Sequence, residues 1–278
     1  AMVLHAHAHS TAEPERMRPD SSGGPRRALW LAGAALALLS VGTASRAGAD
    51  EAAWRDFESR IQYGYYTEDV RALHNLVDAI AADESQDKLH GYYAALTEYR
   101  LAQLAAQGAG GAGESAAQLA QRCVAGTDAA LAVQADFAEA LALRAACLAA
   151  PLAGGGLHTP FAGHRARKDL DRALQLAPRN PRVLLVDAMS DYQLPPSSGG
   201  NRERALPKLR QAVAAFDSER GSAERLPGWG AAEAYLFLAR DLLDHADPVG
   251  ARDALERALL IAPQFTQARR LLAKVLSG

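Results

Sequence analysis

Apolar residues along this chain recur at helical rather than alternating intervals. Between residues 251 and 262 they fall at Ala251, Leu255, Ala258, Leu259 and Ala262, while Arg252, Asp253, Glu256 and Arg257 take the other side. No stretch alternates as a half-buried strand must, so the pattern predicts an all-α fold. The rhythm also repeats. "DALERALLIAP" at 253–263 agrees with "KDLDRALQLAP" at 168–178 in six of eleven positions, and "KLRQAVAAFD", "GTDAALAVQADF" and "NLVDAIAADE" carry weaker forms. These phrases end at Glu84, Ala135, Pro178, Asp217 and Pro263, at intervals of 51, 43, 39 and 46 residues. Such spacing means stacked supersecondary units, each too thin to bury its apolar face alone. The expectation is a solenoid of about five helical hairpins. Its A helices lie near 51–62, 86–106, 137–150, 181–193 and 230–245, and its B helices near 68–83, 115–134, 163–177, 203–217 and 249–262. The last stretch, "QFTQARRLLAKVLSG", reads as a capping helix over the final face.

Composition agrees. Hydrophobic residues make up 49% of the 278, yet aromatics only 6%, because alanine dominates. Alanine is the strongest helix former and lets helices approach closely. A net charge of −2 leaves no basic stripe for nucleic acid. The first 49 residues have the layout of a secretory signal: Arg26 and Arg27, an apolar run from Ala28 to Gly42, then Ala47-Gly48-Ala49. The run is shorter than the roughly 20 residues of a spanning helix, so the expectation is cleavage after Ala49 rather than an integral membrane protein. No cysteine follows the run, so no lipoprotein anchor is expected. Residues 50–278 would then be one exported, periplasmic domain, with 25 basic and 29 acidic residues and a net charge near −4.

The hairpin ending at Pro263 resembles the tetratricopeptide repeat (TPR). With Ala232 as the first position of a 34-residue unit, Ala239, Ala251 and Ala258 occupy its three small-residue positions and Pro263 closes helix B. The resemblance implies that small residues let helices A and B touch. In an A-B-A-B stack all A-to-B turns emerge on one edge, and here they are "QYGYYTE", "GAGGAG", "PLAGGGLHTPFAG", "PPSSGGN" and "HADP". Glycine thus concentrates on one edge, which reads either as a docking mouth or as tolerated insertions. His158 and Phe161 sit in the third of these turns. Six of the eight tyrosines, among them Tyr63, Tyr65, Tyr66, Tyr92 and Tyr93, lie between Trp54 and Tyr99. They read either as a ligand groove or partner interface, or as bulk filling the first core. Tyr65 and Tyr66, on the glycine-rich edge, are the leading site candidates, and Trp229, with Glu233 and Arg240 of the last A helix, is added to them.

Cys123 and Cys147 lie 12 residues before and after the turn near Ala135. In an antiparallel hairpin that places them at one height, so a disulfide and a pair of buried thiols both remain open. No G-x-S-x-G, H-E-x-x-H, C-x-x-C, Walker or dinucleotide pattern occurs. No catalytic residue, metal site or cofactor is expected, and the function class is non-enzymatic binding.

The stretches "APRNPRVLLVDAMSDYQLPPSSGGNRERAL" and "PGWGAAEAYLFLARDLL" further resemble the T component associated with TRAP transporters. That resemblance implies a protein partner, a periplasmic solute-binding protein or transporter, in an envelope transport or trafficking system. Two alternatives stand beside it: a carrier of a hydrophobic small molecule or lipid between the helices, and a cell-envelope assembly scaffold whose concave face presents Glu233 and Arg240.

Overall fold

The computed structural model describes residues 51–83, 87–108, 113–153, 160–219 and 226–277. Among them are eleven α-helices and no strand: α1 (51–67), α2 (Val70–Ala81), α3 (Lys88–Ala106), α4 (Ala116–Val133), α5 (Ala138–Ala153), α6 (Pro160–Leu176), α7 (Pro181–Gln193), α8 (Arg202–Glu219), α9 (Ala231–Asp244), α10 (Pro248–Ile261) and α11 (Thr266–Ser277). None of the described helices is long and apolar enough to cross a membrane. The signal segment, with its cleavage position after Ala49, lies outside the described residues.

Each turn type recurs because the same local chemistry recurs. At the end of α1, Glu68 takes a left-handed conformation (φ 60°) and the Asp69 N–H reaches back to the Gly64 carbonyl at 2.8 Å. At the end of α9, Ala246 (φ 56°) and the Asp247 N–H to Leu242 carbonyl bond at 2.9 Å repeat that arrangement. Both are Schellman-type stops. In both, the aspartate then caps the next helix, Asp69 accepting from the Ala72 N–H and Asp247 from the Gly250 N–H. The B-to-A turns form a second set. Phe137, Asn180 and Phe265 each donate a backbone N–H three residues back, to Gln134, Ala177 and Ala262. Because α11 follows the same turn as α5 and α7, it occupies the A position of an unfinished sixth unit.

The two helix sets bury themselves differently. Helices α9 and α10 are both 14 residues long, yet ten residues of α9 are buried and only four of α10. The A helices are therefore packed on nearly all sides, and the B helices, with one buried stripe, form an outer layer. Along the inner row α3 touches α5, α5 touches α7, and α7 touches α9. Helix α1 completes the row from both ends. Its Trp54 stacks on Tyr93 of α3 at 5.6 Å, while Tyr66 donates to Glu233 of α9 at 2.8 Å and packs on Phe265 at 4.5 Å. Glu68 pairs with Arg270 of α11. The solenoid closes on itself into a two-layered ring.

The closest helix pair is α3 with α4, where Gly91 faces Gly126. A Cβ on Gly91 would stand 2.7 Å from the Gly126 carbonyl oxygen, and one on Gly126 2.9 Å from the Ala95 nitrogen. One turn before Gly126 along α4, Cys123 forms a disulfide with Cys147 of α5, the Cα atoms 6.0 Å apart.

Candidate functional site

Each A helix spends its C-terminal half on a common space inside the ring. On α3 the residues facing it are Tyr99, Ala102, Gln103 and Ala106, at helical spacings of three, one and three; on α5 they are Ala146, Ala149 and Ala150. Val186, Met189, Ser190 and Gln193 of α7 and Phe237 and Arg240 of α9 continue the wall. Tyr65 from α1 and Gln267 from α11 close it. Five alanines among these positions leave the room that leucines would fill, and the result is a cavity of about 240 Å³. Because the C-terminal halves of A helices lead into the A-to-B turns, the cavity lies toward the glycine-rich edge.

A buried polar cluster underlies it. Arg100 of α3, 1% exposed, forms an ion pair with Glu233 of α9, 2% exposed. Its guanidinium also donates to Gln62 Oε1 at 3.1 Å and to Gln103 Oε1 at 2.9 Å. The rings of Tyr65 and Trp229 lie 4.2 and 4.8 Å from the guanidinium carbon. Burial alone would pull the Arg100 pKa down, and the Glu233 carboxylate together with the Tyr65, Tyr66 and Tyr99 hydroxyls outweighs that and holds it up. A second cluster binds α1 to α3 and to the strap before α9. Glu58 accepts from the Tyr93 hydroxyl at 2.7 Å and from the Gly228 N–H at 2.8 Å, and the Trp229 indole donates to the Tyr92 hydroxyl at 2.7 Å.

These contacts revise the expectations about individual residues. Tyr66, Tyr92, Tyr93, Trp229 and Glu233 are all buried within the ring closure, so they hold helices together instead of offering a docking face. Glu233 in particular is committed to Arg100 and Tyr66, which removes it from a peptide-binding concave surface. Tyr65 and Tyr66 lie in helix, not in an edge loop, because α1 continues to residue 67 before Glu68 turns the chain. Tyr65 and Arg240 do meet, on the cavity wall. Tyr63, 59% exposed, faces away from it. His158 lies outside the described residues, as does the side chain of Phe161 in the first turn of α6. Of the glycine-rich turns, "PPSSGGN" is firmly built: Asn201 N–H bonds the Asp191 carbonyl at 3.0 Å, and Arg204 grips Asp191 at 2.7 Å. Residues 109–112 of "GAGGAG" lie outside the description.

Sequence reasoning passed over Arg100, Tyr99, Phe237 and Gln267. One sign was available: "YYAALTEYRLAQLAA" is nearly apolar all round, so a charge within it must be buried and partnered.

Two solved structures match most of the chain. The HusA haemophore from Porphyromonas gingivalis superposes with a TM-score of 0.54 at 22% identity, over 68% of this chain and 92% of its own. A thermophilic TPR protein from Thermus thermophilus gives 0.52 at 18% identity, over 74% of this chain and 90% of its own. The fold is TPR-like. No family model matches the sequence, and no curated protein matches it either. At these identities the likeness establishes the TPR-like architecture, and the site rests on its own geometry.

Proposed function

We propose that this TPR-like protein is a non-catalytic carrier that holds a small, largely apolar molecule in the cavity at the A-to-B edge of its ring. The observation that carries this reading is the space itself. Alanines on two adjacent helices, with Val186, Met189 and Phe237 opposite, keep about 240 Å³ open. Natural cores rarely leave such voids without a use. Among the described residues the wall is built of alanine, larger apolar side chains, amides, tyrosines, a serine and one arginine, a lining suited to holding a molecule. The structural neighbour from Porphyromonas gingivalis is titled a haemophore. The cavity here falls below the roughly 300–1,000 Å³ of drug-sized sites, so the molecule we propose is smaller than a porphyrin.

The test is native mass spectrometry and calorimetry of the full chain with 1-octanol. One molecule bound per chain is expected, with binding abolished in Ala146→Leu/Ala149→Leu at an unchanged melting temperature. Absence of binding to the unaltered protein by 1-octanol and by octanoate alike overturns the proposal.

A second reading places the carrier in an exported, periplasmic transport system like that of the TRAP T component, with a solute-binding partner docking over the cavity mouth. It is favoured by the "PPSSGGN" turn, which Arg204, Asn201 and Asp191 hold fixed on that edge. A Ser197→Arg exchange there is expected to abolish a complex with a solute-binding protein encoded alongside while leaving octanol uptake intact. Capture that persists unchanged removes this reading.

A further inference from the structure

Building on the cavity as a binding site, we infer that its ligand is an apolar carboxylate and that Arg240 is the anchor for its single negative charge. Among the described residues Arg240 is the only charged side chain on the wall. Its Nη2 donates to Gln267 Oε1 at 3.0 Å and its guanidinium carbon lies 5.2 Å from the Phe237 ring centre, but neither contact neutralises it. Comparison with the other arginines drawn out of solvent is decisive. Arg100, Arg144 and Arg182 each meet a carboxylate, of Glu233, Asp169 and Glu219 respectively. Among the described residues Arg240 meets none. Glu233, two turns earlier on the same helix, is committed to Arg100. Asp244, one turn later, is held by Tyr192 and Arg202. The C-terminal end of α9 supplies only partial negative charge.

A second observation converges on the same spot. Gln267 is 5% exposed, and Arg240 fixes its amide orientation by taking the oxygen. Its Nε2 then lies near the Tyr65 hydroxyl without a hydrogen bond of good geometry to any described atom. That nitrogen is closed off from the cavity as well as from solvent, so it is the other donors of the wall that a ligand would meet. The Tyr65 and Tyr99 hydroxyls also face the cavity, both held protonated because burial raises their pKa. Neither hydroxyl donates to an acceptor oxygen among the described residues. Arg240 and the two tyrosine hydroxyls thus face a space whose described lining supplies no anionic acceptor, and a carboxylate accepts from several donors at once. The remaining wall, alanine, valine, methionine and phenylalanine, takes an apolar body. A cavity of about 150 Å³ holds benzene, so about 240 Å³ admits an aryl ring with a short acid arm or a chain of about eight carbons.

The experiment compares acids with the alcohols of the same body, by calorimetry on the full chain: octanoate against 1-octanol, and 3-phenylpropionate against 3-phenylpropan-1-ol. Each acid is expected to bind about ten- to hundredfold more tightly than its alcohol. Arg240→Gln should bring the acid down to the level of the alcohol, and Arg240→Lys should restore part of the difference. Circular dichroism verifies that the variants fold, and the acid-to-alcohol ratio in the unaltered protein decides the matter independently of them. Equal affinities for acid and alcohol, or an acid preference that survives Arg240→Gln, would overturn the anchor and leave carriage standing. If no probe of either head group binds, the carrier reading itself falls.

Discussion

Exchanging Glu233 for glutamine isolates the worth of the charge that ties α9 to α3. The amide keeps the volume of the carboxylate, and its oxygen can still accept from Tyr66, now at 2.8 Å. What it loses is the negative charge facing Arg100. That guanidinium is 1% exposed, and its remaining partners are the neutral oxygens of Gln62 and Gln103 and the faces of Tyr65 and Trp229. Breaking one side of a buried pair costs about 3–5 kcal/mol. The aromatic faces return part of this, about 0.5–2 kcal/mol, leaving a net loss of about 3 kcal/mol. For a domain of this size each kcal/mol lowers the melting temperature by about 2–4 °C, so a fall of about 6–12 °C is expected. Urea denaturation followed by circular dichroism measures the loss directly. Hydrogen exchange should rise first in α1, which the pair helps to seat through Gln62 and Tyr66. The double exchange Arg100→Met/Glu233→Gln removes both charges and should recover most of the stability, since a buried pair is worth little against an apolar substitute. A single variant that loses less than about 1 kcal/mol, or a double variant no better than the single, refutes the account of Arg100 as a desolvated charge dependent on one carboxylate.

Three further outcomes follow from the same packing. Gly126→Ala should destabilise by about 1–2 kcal/mol in urea titrations: the propensity gain of about 1 kcal/mol is outweighed by overpacking of about 1–3 kcal/mol against the α3 backbone, and a stabilised variant would contradict it. Removing the Cys123–Cys147 bridge, which closes a separation of 24 residues, should cost about 3 kcal/mol, seen as a lower melting temperature after reduction. Glu58 contributes one part of the pH dependence. Burial raises its carboxyl pKa above the ordinary value, against hydrogen bonds from Gly228 and Tyr93 that lower it. The folded state therefore favours the protonated acid, and this contribution is whole below the unfolded pKa of about 4.3 and fades as pH climbs through the raised folded value. Glu58→Gln should gain on the unaltered protein as pH rises from about 4 to 8; a difference that shrinks over that range would contradict the direction.

The hairpins were legible because their causes are local. Helical periodicity, Asp and Asn caps, and the recurring Ala-Pro turn at 177–178 and 262–263 each act within a few residues, so the sequence states them openly. The end of α1 was misjudged by five residues because Glu68 adopts the left-handed conformation that glycine usually marks. Ring closure is a different matter. It sums small rotations between successive units, and no single residue encodes that sum. Without it the tyrosines between Trp54 and Tyr99 read equally well as groove or as filling, and only contact with Trp229, Glu233 and Phe265 assigns Tyr66 and Tyr92 to the closure, as contact with Glu58 and Trp54 of α1 does Tyr93. The cavity was hidden for a related reason: alanine at 102, 146 and 149 reads as close packing until the opposite wall is in place.

Closure also changes what kind of molecule this can become. An open array of repeats lengthens or shortens by whole units, since each unit touches only its neighbours. Here Tyr66 must find Phe265 and Glu68 must find Arg270. Deleting or duplicating any one hairpin would turn those partners away from each other, so the number of units is locked, and descent within this architecture must proceed by exchanging side chains on a frame of constant circumference.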